Sequence, residues 1–163
     1  QNLTAVDLDG RLQPCFEDLK QKGLLKHTTF CQQSISAYHP PQLQDFIILY
    51  DCLYYPNNNL MDMLPRLAGS LRDGGYLFFD VYDQLIYSPI KKVYSLLRKN
   101  YRNRNAYSLN ELNDALQQNG FEIIQVNVEL GPKNAFVRLI LSAMYRVTRK
   151  ALAVNYLVRK KAV

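Results

Sequence analysis

Residues 64 to 80 read LPRLAGSLRDGGYLFFD, and the chain changes character in the middle of them. Between Leu60 and Arg72 the pattern predicts a helix, with a fresh start near Pro65 because proline suits a first helical turn and not an interior. Asp73-Gly74-Gly75 ends it. Tyr76 to Tyr82 (YLFFDVY) is then a continuous apolar run, as expected of a strand buried on both faces. Upstream, Phe46 to Tyr50 (FIILY) reads the same way, after a loop marked by Pro40 and Pro41. Two buried strands joined through a helix imply a parallel sheet.

The same rhythm holds on either side. Leu3 to Asp9 (LTAVDLD) reads as a strand, and Gly10 allows a turn into a helix from Leu12 to Lys22. Gly23 stands where a left-handed cap is wanted, and Thr28 to Gln32 is a second strand. Beyond a basic, tyrosine-rich segment with no assigned structure, Ser108-Leu-Asn-Glu111 matches a capping box, which predicts a helix to Asn119 stopping at Gly120. Phe121 to Leu130 alternates like a strand with one polar face, closed by Gly131-Pro132. A helix over Ala135 to Lys150 follows, with Phe136, Leu139, Ile140 and Met144 expected to be buried and Arg138 and Arg146 exposed. Val154 to Arg159 is the last strand. Strands alternating with helices give an α/β fold: a Rossmann-like, mostly parallel sheet with helices on both faces, where ligands bind beyond the carboxyl ends of the strands.

Composition agrees with one globular domain over residues 1–163, at 48% hydrophobic and 21% charged residues. Cys15, Cys31 and Cys52 lack paired zinc spacing, and with only His27 and His39 beside them no metal site is expected. A reducing, cytoplasmic setting is the simpler reading. No apolar run reaches the length of a membrane span, and residues 1 to 9 have no signal-peptide pattern. The net charge of +6 is uneven. Residues 1 to 81 carry six Lys and Arg against nine acids, residues 82 to 107 six against Asp83 alone, and residues 132 to 163 eight against none.

The order of signals, Val6-Asp7, then FIILYDCLYYP, then LPRLAGSLRDGGYLFFD, then YSLNELNDALQQNGFEIIQV, resembles the later part of a class I S-adenosylmethionine-dependent methyltransferase. In that family a helix leads through a basic-x-Gly-Gly turn into strand five, "GF" opens strand six, and the last strand pairs antiparallel. The resemblance runs from Thr4 to about Lys160. It implies S-adenosylmethionine as cofactor, with Asp7 accepting from the ribose hydroxyls and Leu8 beside it, whereas Asp9 reads as a solvated cap of the next helix. Gln33, Ser34 and Ile35 align with the adenine site, although the family's usual carboxylate is missing there. Tyr50 and Asp51 align with the methionine part, or with ordinary strand-end packing. Tyr54 and Tyr55 either line an acceptor pocket or pack as core aromatics. The family's first strand and glycine-rich turn precede Asp7, so neither falls within this sequence. The chain therefore reads as incomplete at its N-terminus, with cofactor binding expected of a longer parent protein and not of the fragment.

No catalytic base stands out, and His39 reads as a loop residue. The segment Asp51-Cys52-Leu53-Tyr54-Tyr55-Pro56 lacks the N/D-P-P-Y box of relatives that methylate base or amide nitrogens, so the expected acceptor is a small molecule, under a lid between Leu85 and Leu97. The first rival is a nucleic-acid methyltransferase or binder, suggested by basic residues around Tyr94, Tyr101 and Tyr107. The second is a non-catalytic binding or scaffold protein that keeps the fold. The basic helix over 135–150 either covers the sheet or lies on an anionic membrane surface. Nothing in the sequence indicates an oligomeric state.

Overall fold

The computed structural model describes residues 2–55, 57–85, 87–88, 105–129 and 153–162. The helix expected over Ala135 to Lys150, with the burial expected of its side chains, lies outside these residues, as do Tyr94, Tyr101 and most of the segment from Leu85 to Leu97. The chain folds as two compact units, Gln1–Pro40 and Pro41–Val163.

In the first unit β1 (Leu3–Asp7) and β2 (Thr28–Gln32) pair in parallel, from Leu3 opposite Thr28 to Asp7 opposite Gln32. β1 stops two residues before the expected Asp9. The cause is local: the Asp7 carboxylate accepts the Asp9 N–H at 2.8 Å and bends the chain, and Asp9 then caps a short 3-10 turn over Gly10–Leu12. Helix α1 (Gln13–Gln21) continues from that turn, with a proline in its first positions. It ends at Gly23, whose φ of 74° is left-handed. The Gly23 N–H donates to the Lys20 carbonyl at 2.9 Å and the Leu24 N–H to that of Leu19 at 3.0 Å, a Schellman termination. Phe16 of α1 rests on Phe30 of β2, with ring centres 5.0 Å apart.

The second unit is built on a four-stranded sheet. β3 (Gln44–Leu49) pairs in parallel with β4 (Leu71–Tyr82), β4 pairs antiparallel with β6 (Ala153–Lys160), and β6 pairs antiparallel with β5 (Phe121–Glu129). The final hairpin is therefore antiparallel, as the sequence predicts. Helix α2 (Leu60–Ser70) links β3 to β4, and α3 (Leu109–Gln118) precedes β5. One face of the sheet, formed by Leu77, Phe79 and Val81 of β4 with Tyr156 and Val158 of β6, is fully buried. It shares the core with Met63, Leu64 and Leu67 of α2 and Leu112 and Leu116 of α3. Each such side chain contributes about 1.5–3 kcal/mol relative to exposure.

Four local expectations need correction. Pro65 lies inside one continuous α2 and does not restart it, because Asn59 already caps the N-terminus through its side chain on the Met61 N–H at 3.2 Å. The proline ring removes only one helix hydrogen bond. Arg72 to Gly75 does not separate helix from strand, since β4 begins at Leu71 and the four residues form an irregularity within it. A Cβ on Gly75 would stand 2.9 Å from the Arg72 carbonyl oxygen, so only glycine fits. Ser108 is the cap residue of α3 and its carbonyl accepts the first helix bond, from the Leu112 N–H at 2.9 Å, but its side chain makes no capping bond. Finally, β3 is buried on one face only: Leu49 is in the core, while Phe46 is 47% and Ile48 58% exposed. Among the described residues β3 pairs with β4 alone, and α2 and α3 share the core on the opposite face.

Candidate active site at the strand ends

Strand ends collect functional groups because the backbone leaves the sheet there and side chains are free to converge. At the end of β1, Asp7 is exposed, and its Oδ1 accepts the Asp9 N–H. Its second oxygen has no hydrogen-bond partner among the described residues, so it retains acceptor capacity. Leu8 beside it is exposed as well. Asp9 is occupied: it takes the Arg11 N–H at 3.1 Å and a forked pair with the Arg11 guanidinium, at 2.8 Å from Nε and 2.6 Å from the terminal nitrogen. The Arg11 hydrogen bonds hold the Asp9 carboxyl down at about 2. Asp9 is thus a cap, as its sequence position suggests.

After β2 the Gln33 N–H donates to the Asp7 carbonyl at 3.0 Å, which ties the two strand ends together. The Gln33 side-chain amide donates to the Ala37 carbonyl at 3.2 Å, and its oxygen faces the Cys31 thiol at 3.8 Å. The Ser34 and Ser36 hydroxyls share a bond of 2.7 Å. Gln33 and Ser34 therefore spend polar groups on their own loop, and Ile35, next along it, is half-buried.

The end of β3 is built differently. Tyr50 is exposed and stacks near Phe78, with ring centres 6.4 Å apart. Asp51 has φ 53°, the one left-handed residue other than glycine among the described residues. A non-glycine side chain in that conformation costs about 1–2 kcal/mol. The Asp51 N–H donates to Oδ1 of Asp80 at 2.7 Å, and the Tyr54 hydroxyl donates to Oδ2 of the same carboxylate. Asp80 is 3% exposed, near the carboxyl end of β4 within its apolar run. Burial first, and then the Asp80 carboxylate, push the Tyr54 phenol well above its ordinary range, so it stays a donor. The Tyr54 ring stacks on Tyr82 at 3.9 Å, and Tyr82 on Tyr87 at 5.1 Å. Asn155 lies opposite Asp80 on β6, and its side-chain oxygen is buried with no hydrogen-bond partner among the described residues.

The tyrosine pair expected at an acceptor pocket is therefore divided: Tyr54 is 6% exposed and Tyr55 58%. Their loop is held from a distance. The Asn105 side-chain amide donates to the carbonyls of Leu53, Tyr55 and Asn58 at 3.2, 2.7 and 3.3 Å, and its backbone N–H to that of Tyr54 at 2.9 Å. The Tyr107 hydroxyl accepts the Leu60 N–H at 2.9 Å. The buried Asp83 side chain accepts the Leu85 N–H at 2.9 Å, and the backbone on either side of it pairs with Tyr107, whose N–H donates to the Tyr82 carbonyl and whose carbonyl accepts the Gln84 N–H, each at 2.9 Å. Asp80, Asp83, Asn105 and the supporting role of Tyr107 emerge from the structure and not from the sequence. The signal for Asp80 was available, since a lone carboxylate within YLFFDVY must find donors to be tolerated in a core. Asn105 and Tyr107 gave no local signal.

This architecture is that of class I S-adenosylmethionine-dependent methyltransferases. A family model described as a methyltransferase domain matches residues 2–126, and the chain belongs to that family. Solved structures agree on the fold. The chain superposes on the N-methyltransferase NodS from Bradyrhizobium japonicum WM9, in complex with S-adenosyl-L-homocysteine, with a TM-score of 0.63 at 12% identity, covering 99% of this chain and 67% of that one. For magnesium protoporphyrin IX methyltransferase from Synechocystis PCC 6803, also with bound S-adenosylhomocysteine, the TM-score is 0.66 at 15% identity, over 98% and 64% of the two chains. A Clostridium acetobutylicum S-adenosylmethionine-dependent methyltransferase gives 0.68 at 15% identity, over 99% and 76%. The chain thus spans less than two thirds of the Synechocystis enzyme. No curated protein sequence matches it significantly.

Proposed function

We propose that the whole protein transfers a methyl group from S-adenosylmethionine to a small-molecule acceptor. The observation that carries this reading is the open carboxylate oxygen of Asp7 at the carboxyl end of a parallel strand, within a chain of the methyltransferase family. An exposed acceptor-only group at that position suits a ribose diol, which offers two donors. Leu8 and Ile35 supply apolar contact, Gln33 and Ser34 lie where the adenine amino group would be met, and Tyr50 and Asp51 flank the methionine part. The cofactor, when bound, supplies an electrophilic methyl for in-line displacement. The protein's own part is to align the acceptor and exclude water, with no dedicated base assigned. Tyr54 and Tyr55 flank the acceptor, Tyr55 by its exposed ring and Tyr54 as the stacked wall behind it.

The small-molecule acceptor rests on the absence of an N/D-P-P-Y box in Asp51 to Pro56. The nucleic-acid reading is weakened by Tyr107, which is buried and spends its hydroxyl on Leu60. The non-catalytic scaffold reading has one observation in its favour, the self-satisfied side chains of Gln33 and Ser34. We place the protein in the cytoplasm, in keeping with three free cysteines. Among the described residues no helix is long and apolar enough to cross a membrane.

Calorimetry of S-adenosylhomocysteine with the whole protein tests the reading. Saturable binding is expected, with Asp7→Ala weakening it by about 1–3 kcal/mol and Asp9→Ala changing it little. No binding by the whole protein favours the scaffold; equal small losses for both variants would remove Asp7 from the ribose site.

A further inference from the structure

We propose that Asp80 is a positioning residue for both halves of the reaction site: it braces the left-handed backbone at Asp51, beside the cofactor, and the Tyr54 ring, beside the acceptor. The role follows from geometry and rests on the methyltransferase reading above. Asp80 is almost wholly buried in β4, where a carboxylate is costly unless its oxygens are used. Both are used on one loop: Oδ1 takes the Asp51 N–H at 2.7 Å and Oδ2 takes the Tyr54 hydroxyl. The first bond acts at the residue whose φ of 53° a side chain rarely adopts, so the brace stands where the backbone needs holding. The second fixes a ring already stacked on Tyr82, which leaves Tyr54 little freedom to rotate. Asp51 and Tyr54 are thus set by one group 29 and 26 residues away. Asp80 touches neither substrate nor cofactor in this scheme and acts through the two residues it holds.

The test is a double-mutant cycle in the whole protein, read by S-adenosylhomocysteine affinity. Asp80→Ala removes both acceptors and is expected to weaken binding about ten-fold. Asp80→Asn keeps an oxygen for the Asp51 N–H and should restore binding to within about three-fold of the unchanged protein. In an Asp51→Gly background, where the left-handed turn needs no brace, Asp80→Ala should cost less than about two-fold. Equal losses for Ala and Asn, or the same loss in both backgrounds, would overturn the proposal. Should Asp80→Ala fail to fold, recovery of a cooperative melt in Asp51→Gly/Asp80→Ala supports it, and failure of both overturns it. If the unchanged protein binds no S-adenosylhomocysteine, the methyltransferase reading fails separately. The brace is then read from the Asp51 amide proton, which should move upfield in Asp80→Ala; an unmoved resonance rejects the brace.

Discussion

The chain leaves β1 and β3 by the same chemical device, a carboxylate that accepts a backbone N–H, but the two loops draw that carboxylate from opposite distances. Asp7 takes the N–H of Asp9, two residues on, and Asp9 takes that of Arg11. Asp51 gives its N–H to Asp80, on the next strand, and the rest of its loop hangs on Asn105 and Tyr107. The first loop is self-supporting and exposed. The second is set by the core, so disturbing it should cost the stability of the whole unit, while disturbing the first should cost a local turn.

Asn105→Ala is the strongest way to break that contrast. It removes the two amide hydrogens shared among three loop carbonyls, of which Tyr55 keeps the Asn58 N–H, and should destabilise the second unit by about 2–3 kcal/mol, read by urea denaturation. A loss below about 1 kcal/mol would show that the loop after β3 holds itself as the first one does. Tyr107→Phe is a finer cut. It leaves the ring in place but takes the acceptor from the buried Leu60 N–H at the start of α2, for an expected loss of about 1–2 kcal/mol. Faster amide exchange at Leu60 should accompany it; unchanged exchange would mean that the helix start is secured elsewhere.

The same contrast explains what could be read from the sequence. All six strands overlap the apolar runs and alternation that predict them, although β1 ends at Asp7 and β4 begins already at Leu71, because each pattern is a property of neighbouring residues. Gly23 and Gly120 are left-handed at the helix ends they were expected to close. The sequence misleads where two local rules compete: Pro65 suits a helix start, but Asn59 already starts α2, and Ser108 matches a capping box whose side-chain bond is not made. FIILY was apolar throughout, which says that both faces suit burial and not that both are covered. Of the candidate site, the cap at Asp9 is legible in the sequence, and Asp7 stands exposed at the end of β1. The loop after β3 was legible only as a composition, since its geometry depends on partners up to 52 residues distant.

The smallest effect should come from Asp9, and its dependence on pH sharpens the comparison. Asp9 is exposed, so solvent screens its forked pair with Arg11, and Asp9→Ala should lower the melting temperature less than Tyr107→Phe does. The sign of the pH effect follows from the shift. The Arg11 hydrogen bonds depress the folded carboxyl from 3.8 to about 2. Its contribution is therefore fully present above 3.8 and is lost as pH falls toward about 2. Melting curves of the unchanged protein and Asp9→Ala should be separated by a small, constant interval above pH 5 and should converge between about pH 4 and 2. Added salt should narrow the interval at neutral pH, as expected of an exposed pair. A gap that persisted at pH 2, or one that exceeded the loss in Tyr107→Phe, would mean that Asp9 supports more than its own turn. The loop after β1 would then be anchored beyond itself, like the loop after β3.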